Sequence, residues 1–439
     1  MTDLQTLYEK YLQCGTVSTD TRQVTPGSMF FALKGPNYNA NLFAEEALQK
    51  GAACAVVDEA ACLPALRTTS GGGPAGRNYF LVGDGLQSLQ QLATHHRSQL
   101  KIPVIGLTGS NGKTTTKELL HAVLSKKYKT FATKGNLNNH IGVPLSILSI
   151  DSSVEIAIIE MGANHIGEIA ALAKIATPTH GLITNIGKAH IGTFGGYENI
   201  IHAKSELYQY LVLNNGQVFI NSQNSILKNM AKRFLSPLFY SAVGDYYHAE
   251  FISADPYVKF ITENHDEVQT KLLGAYNFEN IAAALCIGKF FGVDDELANA
   301  AIANYQPENM RSQVVKKGTN TIILDAYNAN PSSMAAAIEN LAAMKAPKKV
   351  LILGAMYELE EEAEREHQNI GKLIREKGFQ KIYLVGSLFK SAMKEIPNAK
   401  HFETKQLLMD EMKRNKLSGS TILVKASRGI GLETILDFI

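Results

Sequence analysis

The sequence predicts an α/β protein in three domains: a small N-terminal α/β domain at 1–85, a central domain on a mostly parallel sheet at 86–309, and a C-terminal doubly wound domain at 310–439. Three observations carry this prediction. From residue 86 onward, apolar runs alternate with helix-like stretches. Those runs are continuous in Val, Ile and Leu, the mark of strands buried on both faces and so of parallel sheets flanked by helices. After MRSQVV, residues 310–315, the rhythm restarts, which places a second doubly wound unit there.

In the first domain the short apolar stretches SMFFAL, ACAVVD and YFLVGD read as strands. RTTSGGGPAGRN, residues 67–78, precedes a strand instead of joining a strand to a helix, so it reads as a flexible surface loop and not a phosphate loop. In the second domain KIPVIGLTG, VEIAIIEMG, HGLITNIG and GQVFINS are the buried strands, with KTTTKELLHAVLSK, GEIAALAKIA and ENIIHAKSELYQYL as helices between them. In the third, NTIILDAY, KKVLILGAM, QKIYLVGS and STILVKAS are the strands.

With 45% hydrophobic and 19% charged residues, the 439-residue chain has an ordinary globular composition. Its 43 basic and 41 acidic residues leave a net charge of +2, which gives no support to nucleic-acid or membrane-surface binding. The N-terminal segment lacks a signal-peptide layout and no apolar run approaches the roughly 20 residues of a membrane span, so a cytoplasmic protein without membrane insertion is expected. Cys14, Cys54, Cys62 and Cys286 form no CxxC pair and read as free thiols of a reducing compartment.

The chemistry starts at TGSNGKTT, residues 108–115. Thr108, Gly109, Ser110, Asn111 and Gly112 form a turn whose backbone N–H groups can face an anion. The following helix adds the positive end of its dipole and Lys113 a mobile cation. Thr114 or Thr115 can put a hydroxyl on Mg²⁺. Leu107 stands where the strict P-loop pattern has glycine, so this is a variant of that pattern. The central domain thus reads as a P-loop-type ATPase domain, and the third as Rossmann-like.

Glu160 ends the strand VEIAIIE at the sheet edge that carries the phosphate loop, where it can ligate a metal or merely cap a turn. His190, after the next strand, sits at the same edge, although imidazole is an unusual Mg²⁺ ligand. By its spacing alone, Lys204 is a solvated helix lysine. DAYNANPSSM, residues 325–334, follows a strand and reads most simply as a polar turn.

TGSNGKTT, GNLNNHIGVP, IIEMGANHIGEI, TNIGKAHI, HAKSEL, GAYNFENIAAAL, NMRSQ, DAYNANPSSM and KASRG occur in this order between residues 108 and 429, within a resemblance that runs from about residue 18 to the C-terminus. Together they resemble the Mur ligases, ATP-dependent amide ligases of peptidoglycan precursor synthesis. Within that family DxYNANPxSM resembles the branch that adds D-alanyl-D-alanine to UDP-N-acetylmuramoyl-tripeptide. The resemblance implies ATP and Mg²⁺ as cofactors, two small-molecule substrates and a monomer.

It also implies roles. Thr114, Glu160 and His190 match metal-ligand positions, and Lys204 matches a lysine carbamylated in the family. Lys113, Glu160, His190 and Lys204 form the implied catalytic set, and Lys204, as a carbamate, joins the implied metal ligands. Asn277 and Asn280 match an adenine-proximal segment, and Arg311, Asp325 and Asn328 match residues reaching ATP from the third domain. Ser18, Thr21 and Arg22 match a uridine-nucleotide segment. Asn138, Asn139, Ser427 and Arg428 are candidates for holding the acyl substrate or the incoming dipeptide. One departure is the Asp-Gly-His stretch of the family, replaced here by NYNANLF, residues 37–43. The readings that compete are another ligase branch, a slow nucleotide switch and a non-catalytic UDP-peptide binder.

Overall fold

The computed structural model describes residues 2–62 and 78–439, so all but the last residue of RTTSGGGPAGRN lies outside it. Four parallel strands form the first sheet, in the order Val17–Ser18, Met29–Phe31, Cys54–Val57, Tyr79–Leu81. The Sγ atoms of Cys14 and Cys54 touch at 4.0 Å as free thiols.

The central sheet has six strands, all parallel, ordered Leu238–Tyr240, Gln217–Asn221, His180–Ile183, Val104–Thr108, Ile156–Glu160, Thr130–Ala132. Val104–Thr108 and Ile156–Glu160 are buried along their whole length, as their unbroken apolar runs require. The third sheet runs Gln313–Lys317, Asn320–Asp325, Thr421–Lys425, Lys349–Gly354, Lys381–Val385, Lys400–Phe402. Only its edge strand Gln313–Lys317 is antiparallel.

The sequence reading missed a separate antiparallel sheet of Ala249–Ala254, Tyr257–Thr262 and Glu267–Leu273. Tyr257–Thr262 and most of Glu267–Leu273 alternate between buried and more exposed positions and Ala249–Ala254 is largely exposed, so all three lack the continuous apolar run that marks the parallel sheets. Among the described residues no helix is long and apolar enough to cross a membrane.

One packing detail places the chemistry. Gly106 and Gly181 are register partners on adjacent central strands, and together they leave a flat trough. The helix Tyr197–Leu213 lies in it, with Leu207 and Leu211 fully buried. A Cβ on Gly106 would come 3.1 Å from Leu207 Cδ1, and one on Gly181 would come 2.3 Å from Leu211 Cδ1. Gly216 makes room for the other methyl of Leu211: a Cβ there would stand 2.5 Å from Leu211 Cδ2. The trough draws the helix onto the sheet and carries Lys204, one turn away from Leu207, into the interior.

Gly181→Ala should therefore overpack this contact and lower stability by about 1–3 kcal/mol. Thermal unfolding followed by circular dichroism tests this; a melting temperature equal to that of the parent would mean that the helix has slack.

Candidate active site

Residues beyond strand ends of the central sheet, with others at the ends of Asn320–Asp325 and Thr421–Lys425 in the third, converge on one cavity of about 920 Å³. Its floor is the phosphate loop. Gly112 has φ +79° and caps the helix Lys113–Leu124. A Cβ there would meet Asn280 Oδ1 at 2.5 Å, and one on Gly109 would meet Thr184 Oγ1 at 2.0 Å. Both glycines are thus demanded by close approach as well as by backbone angle.

The segment after the neighbouring strand braces the loop from below. Ser110 N–H donates to the Asn185 carbonyl at 2.9 Å, Asn111 N–H to Asn185 Oδ1 at 3.0 Å, and Ser110 Oγ to the Gly187 carbonyl at 2.9 Å. The sequence reading did not single out Thr184 or Asn185, although both stand in the quoted TNIGKAHI. Lys113 folds back, donating to the carbonyls of Gly109 at 2.7 Å and Ser110 at 3.2 Å. Part of its side chain still meets the cavity, but the surrounding protein desolvates the ammonium and Arg311 repels it. Its pKa falls to about 8, with Glu160 opposing the shift.

Glu160 is 1% exposed. Thr114 Oγ1 donates to it at 3.1 Å, Asn138 Nδ2 reaches Oε1 at 2.9 Å, and the buried Lys117 ammonium lies 3.5 Å from Oε2. Thr114 and Glu160 therefore form an adjacent hydroxyl–carboxylate pair beside the loop. Asn138 lines the cavity while holding Glu160, and Asn139 uses its Oδ1 to cap the backbone of Ile141 and Gly142.

Lys204 is not the solvated lysine that its helical spacing suggests. It is 1% exposed, donates to the Ala163 carbonyl at 3.3 Å, and lies 5.1 Å from the centre of the Phe194 ring. Burial first, and repulsion from Lys113 second, lower its pKa to about 7 against the pull of Glu168 and Glu206. Glu206 is itself engaged, accepting from the N–H groups of Gly167 and Ala170.

His190 lines the cavity with a left-handed backbone, φ +56°. Its Nδ1 sits 2.6 Å from Oε2 of Glu358, a residue of the third domain. The oxygen lies off the ideal N–H direction, so this is a close polar contact and not an aligned hydrogen bond. Among the described residues no three His, Cys, Asp or Glu side chains gather into a metal cage.

The third domain forms the opposite wall. DAYNANPSSM is more than a turn: Asn330 caps the helix Pro331–Ala343, and its Nδ2 also donates to Asn111 Oδ1 of the phosphate loop at 2.8 Å. Asp325 is paired with Lys425 at 2.6 Å, and both line the cavity with Asn328. The Arg311 guanidinium stacks 3.9 Å from the centre of the Tyr327 ring, and its Nε is buried without a partner. Asn277 and Asn280 are joined to each other at 2.8 Å, and Asn280 accepts from Thr116 in the loop helix at 3.0 Å. Thr115 lines the cavity, whereas Thr108 lies buried beneath it.

Two family models match this chain: the Mur ligase middle domain over residues 107–288, and the Mur ligase glutamate ligase domain over 310–428. The UDP-N-acetylmuramoyl-tripeptide–D-alanyl-D-alanine ligase of Bacillus subtilis is 34% identical over 429 residues, covering 96% of this chain and 92% of that protein. The chain belongs to the Mur ligase family. The Escherichia coli ligase of the same name is 32% identical, with 96% and 92% covered. The crystal structure of MurF from Acinetobacter baumannii superposes with a TM-score of 0.83 at 30% identity over 96% of this chain and 92% of that one. The Thermotoga maritima MurF structure in complex with ADP gives 0.82 at 27% identity over 100% and 98%. This Mur ligase is an ATP-dependent ligase of the MurF type.

The remaining candidates of the Mur ligase stand away from the cavity. Ser427 is buried, donating to the Ala329 carbonyl at 3.3 Å and accepting from Tyr357 N–H at 2.9 Å. Arg428 is exposed, its guanidinium 5.3 Å from the centre of the Tyr327 ring. Ser18, Thr21 and Arg22 lie in the first domain, where Ser18 Oγ donates to the Asp20 carbonyl and Arg22 pairs with the Asp20 carboxylate at 2.6 Å. In NYNANLF, Asn41 turns inward and exchanges hydrogen bonds with Asp58, at 2.8 and 3.0 Å, while Tyr38 and Phe43 stack with ring centres 5.7 Å apart.

The Lys204 pKa makes a testable statement. An amine lowered from 10.5 to about 7 on folding leaves the unfolded chain holding more protons between those values. Stability from this group then rises with pH across that window, and the penalty is greatest at and below about pH 7. In carbon-dioxide-free buffer, Lys204→Met should melt above the parent near pH 7, and the gap should close towards pH 10.5. A constant gap would mean that Lys204 is not buried as an ammonium.

Proposed function

We propose that this chain joins D-alanyl-D-alanine to UDP-N-acetylmuramoyl-tripeptide with conversion of ATP to ADP and phosphate. The carrying observation is the cavity itself: a phosphate loop with Thr114 and Glu160 on one wall faces Arg311, Asp325 and Asn330 of another domain. The full-length similarity to ligases of that name supports the choice of substrates. The proposed division follows the cavity, with 1–85 taking the UDP end, 86–309 the ATP and 310–439 the second wall.

The reaction must bring two anions together. The substrate carboxylate attacks the γ-phosphorus, ADP leaves, and an acyl phosphate forms. The neutral amine of the dipeptide then adds to the activated carbonyl, and collapse expels phosphate. Lys113 and the loop amides offset the charge on the phosphates. Arg311 has a buried Nε–H with no partner, so it can add charge from the opposite wall without first breaking a bond. Enclosure between the domains protects the acyl phosphate from water.

The hydroxyl–carboxylate pair of Thr114 and Glu160 suits Mg²⁺, a hard cation held by few protein oxygens together with substrate phosphates and water. A bound Mg²⁺ would supply charge neutralisation at the β- and γ-phosphates. Lys204 supports a further oxygen donor: burial leaves much of the amine unprotonated near neutral pH, the form that adds CO₂ to give a carbamate and release a proton. His190, facing the same cavity, is proposed as the remaining ligand.

Phosphate release with UDP-N-acetylmuramoyl-tripeptide, offering D-alanyl-D-alanine, D-alanine, L-alanine and D-glutamate in parallel, tests this reading. Release with the dipeptide alone and a product of the amide mass is expected. Release with another amine would move the chain to another branch, and no amine-dependent release would overturn the proposal.

A further inference from the structure

Glu358 and the residues around it form a contact that the reaction as derived above does not use. The segment after the strand His180–Ile183 meets the segment after the strand Lys349–Gly354 across the domain boundary. Lys188 Nζ pairs with the buried Glu366 at 2.8 Å, and Lys188 N–H donates to Ser332 Oγ at 3.0 Å. The short helix Ile191–Phe194 lies flat on the turn Glu360–Glu362, and Gly192 allows this: a Cβ there would stand 2.6 Å from both the Leu359 carbonyl carbon and Glu360 Cγ.

Three non-glycine residues in this one contact have left-handed backbones: His190 at φ +56°, Glu358 at +63° and Glu360 at +46°. Such angles are unfavourable for residues that carry a Cβ and persist where the surroundings impose them. Their effect is to bring the Glu358 carboxylate, half exposed at its outer face, to 2.6 Å from His190 Nδ1.

We propose that Glu358 is a positioning residue for His190, supplied from the third domain. The carboxylate stands against Nδ1 at 2.6 Å, off the N–H axis, and a small ring rotation would align it, which leaves Nε2 as the nitrogen for the cavity. A carboxylate on the far nitrogen fixes the tautomer and orientation of an imidazole that is to serve as a ligand. Because the two residues belong to different domains, the imidazole is fixed only while the domains are together. Apposition of the domains therefore completes the His190 side of the site as well as enclosing it.

The ligand role of His190 rests on the proposed ligase reading; its orientation does not, so the test has one arm for each. In protein labelled with ¹⁵N-histidine, without substrates and at a pH where the imidazole is neutral, His190 is assigned by loss of its signals in His190→Gln. The parent should show the Nδ1–H tautomer. Glu358→Ala and Glu358→Gly should both lose that preference, and Glu358→Gln, which keeps an acceptor oxygen, should retain part of it. Glycine relaxes the left-handed backbone, so it separates the carboxylate from the strain and safeguards folding. A tautomer unchanged in Ala and Gly, or a parent-like result in Gly alone, overturns the proposal. In the second arm, Mn²⁺ binding in the presence of ATP, read by electron paramagnetic resonance, should weaken about 10–100-fold in Glu358→Ala. Unchanged Mn²⁺ affinity with a lost tautomer would refute the ligand role and leave the orientation standing; failure of the amine panel would touch neither measurement.

Discussion

A carboxylate buried to 1% exposure must be matched by its neighbours, and the match around Glu160 organises much of this molecule. An unpaired charge at that depth would cost several kcal/mol. Thr114 of the loop helix, Asn138 of the loop after the Thr130–Ala132 strand and Lys117 one helical turn further on each meet one of its oxygens, while Thr133 Oγ1 receives its backbone N–H. Two chain segments, the loop helix and the stretch 133–138, are thereby held to one strand end. The phosphate loop starts from the adjacent strand, and the braces Thr184 and Asn185 follow the strand on its other side. The charge that suits a cation also fixes the walls around it.

Cationic groups show the complementary constraint. Lys113, Lys117 and Lys204 are all drawn inward, and repulsion from Lys113 adds to burial in lowering the pKa of Lys204. A site rich in buried amines is costly as a resting structure and suited to a polyanion. Bringing in a triphosphate supplies the countercharge that protein carboxylates here provide only in part.

The parallel sheets and the phosphate loop were legible because both have local signatures: unbroken apolar runs for strands, and glycines before Lys-Thr for the loop. The buried state of Lys204 was not, since within its helix it looks like any solvated lysine. What buries it is the trough at Gly106 and Gly181, far away in sequence. Asn138 was legible as polar and near the site, but its partner Glu160 comes 22 residues later, across a strand pairing. The Asn330–Asn111 bond spans 219 residues, and no local pattern reports a contact of that span. The sheet at 249–273 was missed because one polar face per strand dilutes the apolar signal.

The cavity has two owners. Its phosphate wall belongs to the central domain and its opposite wall, from Arg311 to Lys425, to the third. An inhibitor filling it would act as an adhesive between domains, and its affinity would include the free energy of bringing them together. Screening against the isolated central domain would rank such compounds wrongly: those anchored on the phosphate loop alone would score well, and those that draw strength from both walls would go undetected.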